Sequence, residues 1–228
     1  MITLTHNLPE ASEPNAEYVR IKCLYDCYKD DKDVLFWEQD GGRAYISLAS
    51  GDMTVFCEKG DLQEIKEFIL VISPRSIFGS LEVLKNLGFS DIHSVEVLSR
   101  KADILGETAG DSLSSREIYD ILNVKEFSLP EYPYFAVDFC RRLNHGLASY
   151  FAIKDKCAAV SFHTGDYALL NGIVSREKGL GTVALNAILK KNHGRELIAC
   201  CEEKLIGFYE KNGFNKRYKA GYWCKQQA

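Results

Sequence analysis

The sequence predicts an α/β protein with mixed, mostly antiparallel sheets flanked by helices, built as two similar domains. Three observations carry this. The apolar runs "ASYFAI", "AAVSFHT" and "YALLNGIV" are separated only by Asp155 and by Gly165-Asp166, so consecutive strands turn straight back on one another. Helical patterns alternate with such strands along the chain. A strand, a helix and a closing Gly-Phe occur twice, in "FILVISPRSIFGSLEVLKNLGF" and in "ELIACCEEKLIGFYEKNGF".

Taken in order, the first 15 residues hold Pro9, Pro14 and several polar residues and read as a loose arm. Tyr18 to Tyr28 reads as a helix. "VLFWEQ" and "RAYISLA" flank Asp40-Gly41-Gly42, a hairpin signal, and "MTVFCE" follows Ser50-Gly51-Asp52. Asp61 caps the short helix "LQEIKE". "FILVI" reads as a buried strand, Ser76 to Leu87 as a helix stopped by Gly88, and "SVEVLS" as another strand. Residues 101–115 are the linker candidate, which places the domains at 1–105 and 106–228. Ser114 and Glu117 have capping-box spacing, and Pro133 suits the first turn of the next helix. After the meander come a helix from Thr182 to about Asn192, the strand "ELIACC", the helix "EKLIGFYEKN" and a last strand including "AGYWC".

Composition narrows the function classes. Of the 228 residues, 46% are apolar and 26% charged, enough to bury a core. No apolar run approaches the roughly 18 residues of a membrane span, and no secretory pattern opens the chain, so the expected compartment is the cytoplasm. Eight cysteines without a short secreted frame read as buried thiols. Cys23 and Cys27 lack a second ligand pair, so no metal is expected. Residues 1–105 carry 18 acidic and 11 basic side chains; residues 106–228 carry 14 and 17. That asymmetry fits an anionic ligand held in the second half and gives no basic stripe for nucleic acid.

The candidate anion site is "SREKGLGT". Arg176-Glu177-Lys178-Gly179-Leu180-Gly181 has the form R-x-x-G-x-G between a strand and a helix. Glycines let the backbone turn tightly and let a phosphate approach without a Cβ in the way. The N–H groups of the helix start and its dipole favour an anion. A rival reading takes Gly179 to Ala184 as a dinucleotide fingerprint with Glu202 on the ribose. Ser175 to Lys178 intervene before the first glycine, and only 47 residues follow Gly181, too few for a doubly wound sheet. No Lys-Ser or Lys-Thr follows the glycines, which excludes a Walker loop.

On this loop and on Phe208-Tyr209-Glu210-Lys211-Asn212-Gly213-Phe214, the second half resembles the GNAT N-acetyltransferase superfamily. The resemblance implies a loop that binds the pyrophosphate of acetyl-CoA. It implies that Ile173 and Val174 pair their backbone with the pantetheine arm, that Arg176 adds charge, and that the amides from Glu177 through Lys178, Gly179, Leu180 and Gly181 to Thr182 hold the pyrophosphate. Tyr209 would protonate the departing thiolate. The implied reaction is acetyl (acyl) transfer from acetyl-CoA to a primary amine on a small molecule or peptide; the alternative is a non-catalytic acyl-CoA-binding or regulatory protein. Acceptor, acyl length, general base and oligomeric state stay open.

Three departures qualify the resemblance. The Val174-to-Arg176 segment is shorter than the family's, Glu202 stands where the family often has Asn, and Ala168 stands where some members place a glutamate. His163 and Asp166, near the turn before the fourth strand, read as turn and surface residues, with a general-base role as the alternative, and Cys200 and Cys201 as strand packing. Over 1–105 the resemblance is architectural: Gly60 stands alone, and aligning Phe89 with Phe214 puts Leu84 opposite Tyr209. The first half is therefore expected to be a degenerate copy.

Overall fold

The computed structural model describes residues 1–10, 13, 15–103, 109–125, 127 and 129–225. Contacts divide the chain into two compact units, residues 1–99 with 200–228, and residues 100–199. The expected linker at 101–115 lies partly outside the described residues. Within it, Asp111 is tied down: its N–H donates to Ala152 O at 2.8 Å, and its Oδ2 accepts from Lys154 N at 2.7 Å.

In chain order, the first unit contributes β1 (Ile2–Leu4), α1 (Ala16–Tyr28), β2 (Val34–Gln39), β3 (Ala44–Ala49), β4 (Asp52–Cys57), α2 (Leu62–Ile72), β5 (Ser76–Ser80), α3 (Leu81–Asn86) and β6 (His93–Lys101). The second holds α4 (Ser115–Leu122), α5 (Tyr132–Asn144), β7 (Ala148–Ile153), β8 (Cys157–Thr164), β9 (Tyr167–Ser175), α6 (Leu180–Lys191) and most of β10 (Glu196–Cys201). A 3-10 turn at Glu203–Leu205, α7 (Ile206–Lys211) and β11 (Asn215–Cys224) then return to the first unit.

Each of the two sequence repeats follows one plan. An antiparallel meander (β2-β3-β4, then β7-β8-β9) is followed by a helix, a strand parallel to the meander's last strand, a short helix and Gly-Phe. The two Gly-Phe stops share backbone conformation and hydrogen bonding. Gly88 (φ 89) and Gly213 (φ 79) are left-handed, which glycine adopts without a Cβ penalty. The Phe89 N–H donates to Leu84 O at 3.1 Å, and the Phe214 N–H donates to Tyr209 O at 3.1 Å. The backbone thus makes Leu84 the counterpart of Tyr209.

Three expectations need correcting. "FILVI" is not a strand; it completes α2, because Leu62, Ile65, Ile69 and Ile72 fall on one helical stripe. Ile65 and Ile69 are buried on that stripe, while Leu70 and Val71 face water. The strand of the first repeat is instead "SIFGS", with Ser80 capping α3 through Val83 N at 3.2 Å. The N-terminal arm includes β1, which pairs antiparallel with β2, while the Ile2 N–H donates to Glu64 Oε1 at 2.7 Å. Residues 11, 12 and 14 of that arm lie outside the described residues.

The sheet of the first unit runs β1-β2-β3-β4-β5-β11-β6. Alternation along its strands sends Trp37, Ile46, Val55 and Ile77 into one core with Ile65 and Ile69 of α2. Phe36 and Tyr45 point the other way, onto Tyr18, Ile21 and Tyr25 of α1. In the second unit the order is β10-β9-β8-β7. Its core includes Phe139, Ile118, Leu185, Ile188 and Leu197.

The division at 105/106 is therefore not the division of contacts. β11, the last strand of the second repeat, lies between β5 and β6 and bonds to both, with Gly221 facing Gly79 on one side and Ser94 on the other. A strand paired on both edges belongs to the sheet that satisfies its backbone.

Candidate functional site

In the second unit, β9 changes character along its length. From Tyr167 to Leu170 it pairs with both neighbours; its register with β10 runs from Tyr167↔Glu196 to Leu170↔Ala199 and stops there. Against β8, Val160 faces Gly172 whereas Ser161 faces Leu170, so Asn171 is the extra residue of a bulge. Beyond it, Ile173 and Val174 pair on the β8 side with Ala159 and Ala158. Their opposite backbone edge lies past the end of the β10 ladder. Such an edge offers N–H and C=O groups to an extended ligand.

The chain then turns into α6. Gly179 is the N-cap at φ 90, a left-handed conformation, and no side chain caps the helix. Nothing lies within 4 Å of where a Gly179 Cβ would stand. The turn is closed by Leu180 N to Glu177 O at 3.3 Å and Val183 N to Gly179 O at 3.3 Å. Leu180, Gly181 and Thr182 form the first turn; with the Leu180 N–H turned back to Glu177, the Gly181 and Thr182 N–H groups have no helical partner of their own. The predicted loop residues and the predicted strand residues are thus consecutive parts of one open edge and one uncapped helix start.

Arg176 does something the sequence did not announce. Its Nη2 donates to Asp120 O at 3.0 Å and its Nη1 to Asp155 O at 3.4 Å, while its N–H donates to Lys156 O at 2.8 Å. It ties the loop to the end of α4 and to the β7–β8 turn. Glu177 pairs with Lys156 at 3.2 Å, and Ser175 Oγ donates to Glu177 O at 2.7 Å. Lys178 is exposed.

The corresponding helix start in the first unit is shut. Asp61 caps α2 with Oδ1, accepting from Gln63 N at 2.9 Å and Glu64 N at 3.2 Å. Gln39 accepts from Asp61 N at 2.8 Å, and a Cβ on Gly60 would stand 2.4 Å from Gln39 Oε1. The glycine here makes room for a glutamine, and a carboxylate already occupies the anion position.

Tyr209 groups with the first unit. It is 4% exposed, with its ring edge-on to Phe208 at 5.1 Å and Phe214 at 5.4 Å. Burial, then Cys201 and Cys200, push its hydroxyl above the usual tyrosine range, so it keeps its proton at neutral pH. Burial also raises Cys200 to about 12 and Cys201 to about 11, which leaves both as thiols. Glu202 pairs with Lys204 at 2.7 Å and approaches His93 at 3.9 Å.

The expectation that His163 is a surface residue is corrected. His163 is buried near the end of β8, and burial followed by Arg195 lowers its pKa. Ala168 is buried on β9 and supplies no base. Among the described residues, no group of three or more His, Cys, Asp or Glu could hold a metal, and no helix is long and apolar enough to cross a membrane.

No protein-family model and no curated protein matches the sequence. Solved structures do match its shape. A tandem GNAT protein from the clavulanic acid biosynthesis pathway superposes with TM-score 0.50 at 15% identity, covering 84% of this chain and 82% of its own. A GCN5-related N-acetyltransferase from Sphaerobacter thermophilus gives 0.51 at 11% identity, over 84% and 79%. A Drosophila protein gives 0.58 at 12% identity, over 91% and 90%. The chain has the GNAT acetyltransferase fold. In GNAT terms β9 and β10 are the fourth and fifth strands of the second copy, and α6 is its third helix. The bulge at Asn171, the end of the β10 ladder and the glycine start of α6 follow one another along this segment.

Proposed function

We propose that this protein is an N-acyltransferase that moves an acetyl (acyl) group from acetyl-CoA to a primary amine of a small molecule or peptide. The observation that carries this reading is the pairing of a freed β9 edge with an uncapped, glycine-initiated α6 in one unit. The residues fit the co-substrate. Ile173 and Val174 offer backbone groups to an amide-bearing arm, and the amides from Glu177 to Thr182 offer donors to a pyrophosphate. The same contrast supports binding in the second unit alone, because Asp61 fills the equivalent position in the first.

Acetyl-CoA supplies the acyl group as an activated thioester. A backbone N–H near Ile173 or Val174 polarises the carbonyl as the neutral amine forms its C–N bond. As the C–S bond breaks, sulfur takes up a proton, for which Tyr209 is the candidate donor, and the amine nitrogen gives up its own proton to water, from which the phenolate is restored. Arg176, held through the Asp120 and Asp155 carbonyls and exposed, adds positive charge beside the loop.

A second reading, an acyl-CoA-binding protein without turnover, draws on the near-complete burial of Tyr209 and on the alanine at 168. Two measurements separate the readings. Gly181→Val puts a branched side chain where phosphate approaches and is expected to weaken CoA binding heavily with the fold kept. Unchanged affinity in the folded variant removes this loop from the site. Thiol release from acetyl-CoA with a panel of amines marks the transferase; tight CoA binding without release on any amine marks the binding protein.

A further inference from the structure

Arg20, on α1 of the first unit, is a half-buried cation with no carboxylate partner among the described residues. Its guanidinium stands over the Phe78 ring of β5 at 5.0 Å and over the Tyr222 ring of β11 at 5.7 Å. Nη1 donates to Tyr222 Oη at 3.0 Å. Nε and Nη2 have no hydrogen-bond partner among the described residues. The enclosed side-chain polar atoms without a partner there are Glu17 Oε1 and Asn192 Oδ1, so Nε and Nη2 are not sealed and remain open to a ligand.

The nearby carboxylates are engaged elsewhere. Glu17 Oε2 accepts from the Tyr218 hydroxyl, and that hydroxyl accepts from Ala16 N at 2.9 Å. Glu17 Oε1 is sealed beside the splay where β4 parts from β5 after Val55↔Gly79. Asp52 is bound side-on by Arg75, whose Nε and Nη2 donate to it at 3.2 and 2.8 Å. On Arg20 the same two donors are the unfilled ones. The surroundings of Arg20 reach the proposed proton donor within the first unit. Tyr222 faces His93 across the β11–β6 ladder, and His93 Nε2 lies 3.9 Å from Glu202. Two residues earlier is Cys200, whose thiol pKa is raised by burial and then by Glu17, with Arg20 opposing them. After burial, Cys201 and Cys200 are the groups that act on the Tyr209 hydroxyl.

We propose that Arg20 selects the acceptor: the amine that takes the acyl group is an amino acid, and Arg20 holds its carboxylate through Nε and Nη2. This rests on the acyl-transfer reading and adds the acceptor class to it. Paired donors in a planar fork match a carboxylate, and charge-assisted pairs of this kind are among the strong ones. The Phe78 and Tyr222 rings and the Tyr222 hydrogen bond fix the fork before any ligand arrives. A neutral amide in that place would leave the half-buried guanidinium without a counter-charge.

Thiol release from acetyl-CoA by the full-length protein tests it, with α- and ω-amino acids each set beside its carboxamide at equal concentrations of neutral amine. The acid of the best pair is expected to exceed its amide in kcat/KM by about tenfold or more. Arg20→Gln is expected to raise KM for that acid by about tenfold or more, to remove the preference over the amide, and to leave kcat and CoA affinity nearly unchanged. Equal use of acid and amide by the parent protein overturns the proposal and leaves acyl transfer standing. So does an unchanged acid preference in folded Arg20→Gln, or a fall in kcat with KM unaltered, which marks Arg20 as structural. Thiol release with no amine, although CoA binds, overturns the transferase reading and the proposal together. If Arg20→Gln does not fold, Arg20→Lys keeps the charge without the fork, and an undiminished acid preference in it overturns the bidentate assignment.

Discussion

Tyr209 and Leu84 occupy one backbone position in two repeats, an aliphatic side chain in one and a phenol in the other. Both are buried, and both carbonyls accept from the phenylalanine of a Gly-Phe stop. Only the tyrosine carries a donor. Tyr209→Phe keeps the ring against Phe208 and Phe214 and removes that donor alone. A positioned proton donor is worth roughly 10²–10⁴-fold in rate. The variant is expected to lose about that much kcat, with CoA affinity and melting temperature nearly unchanged. Full activity on the true acceptor would make Tyr209 a packing residue.

Glu17 yields a prediction about pH. Its folded pKa is raised above the unfolded value of 4.5. The protonated form therefore favours folding: that contribution is complete below pH 4.5 and is lost as pH rises through the folded pKa. Tyr218 stays neutral beside it, and Cys200, at about 12, does too. Glu17→Gln cannot titrate. Its melting temperature minus that of the parent should thus be larger at pH 7 than near pH 4. A difference independent of pH would mean that Glu17 is ionised at no cost when folded.

Among the elements, the starts of α2 and α6 differ because their caps differ. Asp61 satisfies two first-turn N–H groups of α2; Gly179 satisfies none of α6 with a side chain. Asp61→Ala is expected to lower stability by about 1 kcal/mol, the usual worth of such a cap. Denaturant melts measure it. A neutral result would mean that Gln39 or water replaces the carboxylate. The α2 error in reading the sequence belongs to this scale as well. "FILVI" has five consecutive apolar residues, a run that a buried strand and the end of a helix share. What decides is the helix stripe begun at Leu62, together with the left-handed Ser73 (φ 51) that ends it.

For the molecule as a whole, the contact units and the sequence repeats are not the same objects. The second repeat ends in a strand that the first unit's sheet requires. β11 packs Tyr222 on Phe78 at 4.6 Å and Trp223 on Phe89 at 4.8 Å while bonding β5 and β6. Truncation after Phe214 opens that sheet and exposes two edges and their aromatic faces. It is expected to yield insoluble or largely unfolded protein by circular dichroism and sedimentation. A soluble truncated chain with native sheet content would show that β5 and β6 can pair without it.

The sequence alone determined what depends on local chemistry. Glycines at 179 and 181 between a strand and a helix, Gly-Phe stops at 88 and 213, the Ser114–Glu117 capping box and the meander turns all act within a few residues, and the structure has the last three as read. The glycine loop opens α6 at the expected place. Only the tertiary structure decided the rest, because it depends on partners distant in sequence. Arg176 reaches back 56 residues to Asp120, and Tyr218 meets Glu17 across 201. Glu17 in a first helical turn reads like any favourable dipole partner; that one of its oxygens is buried without a donor follows only from how β11, α1 and the β4–β5 splay enclose it.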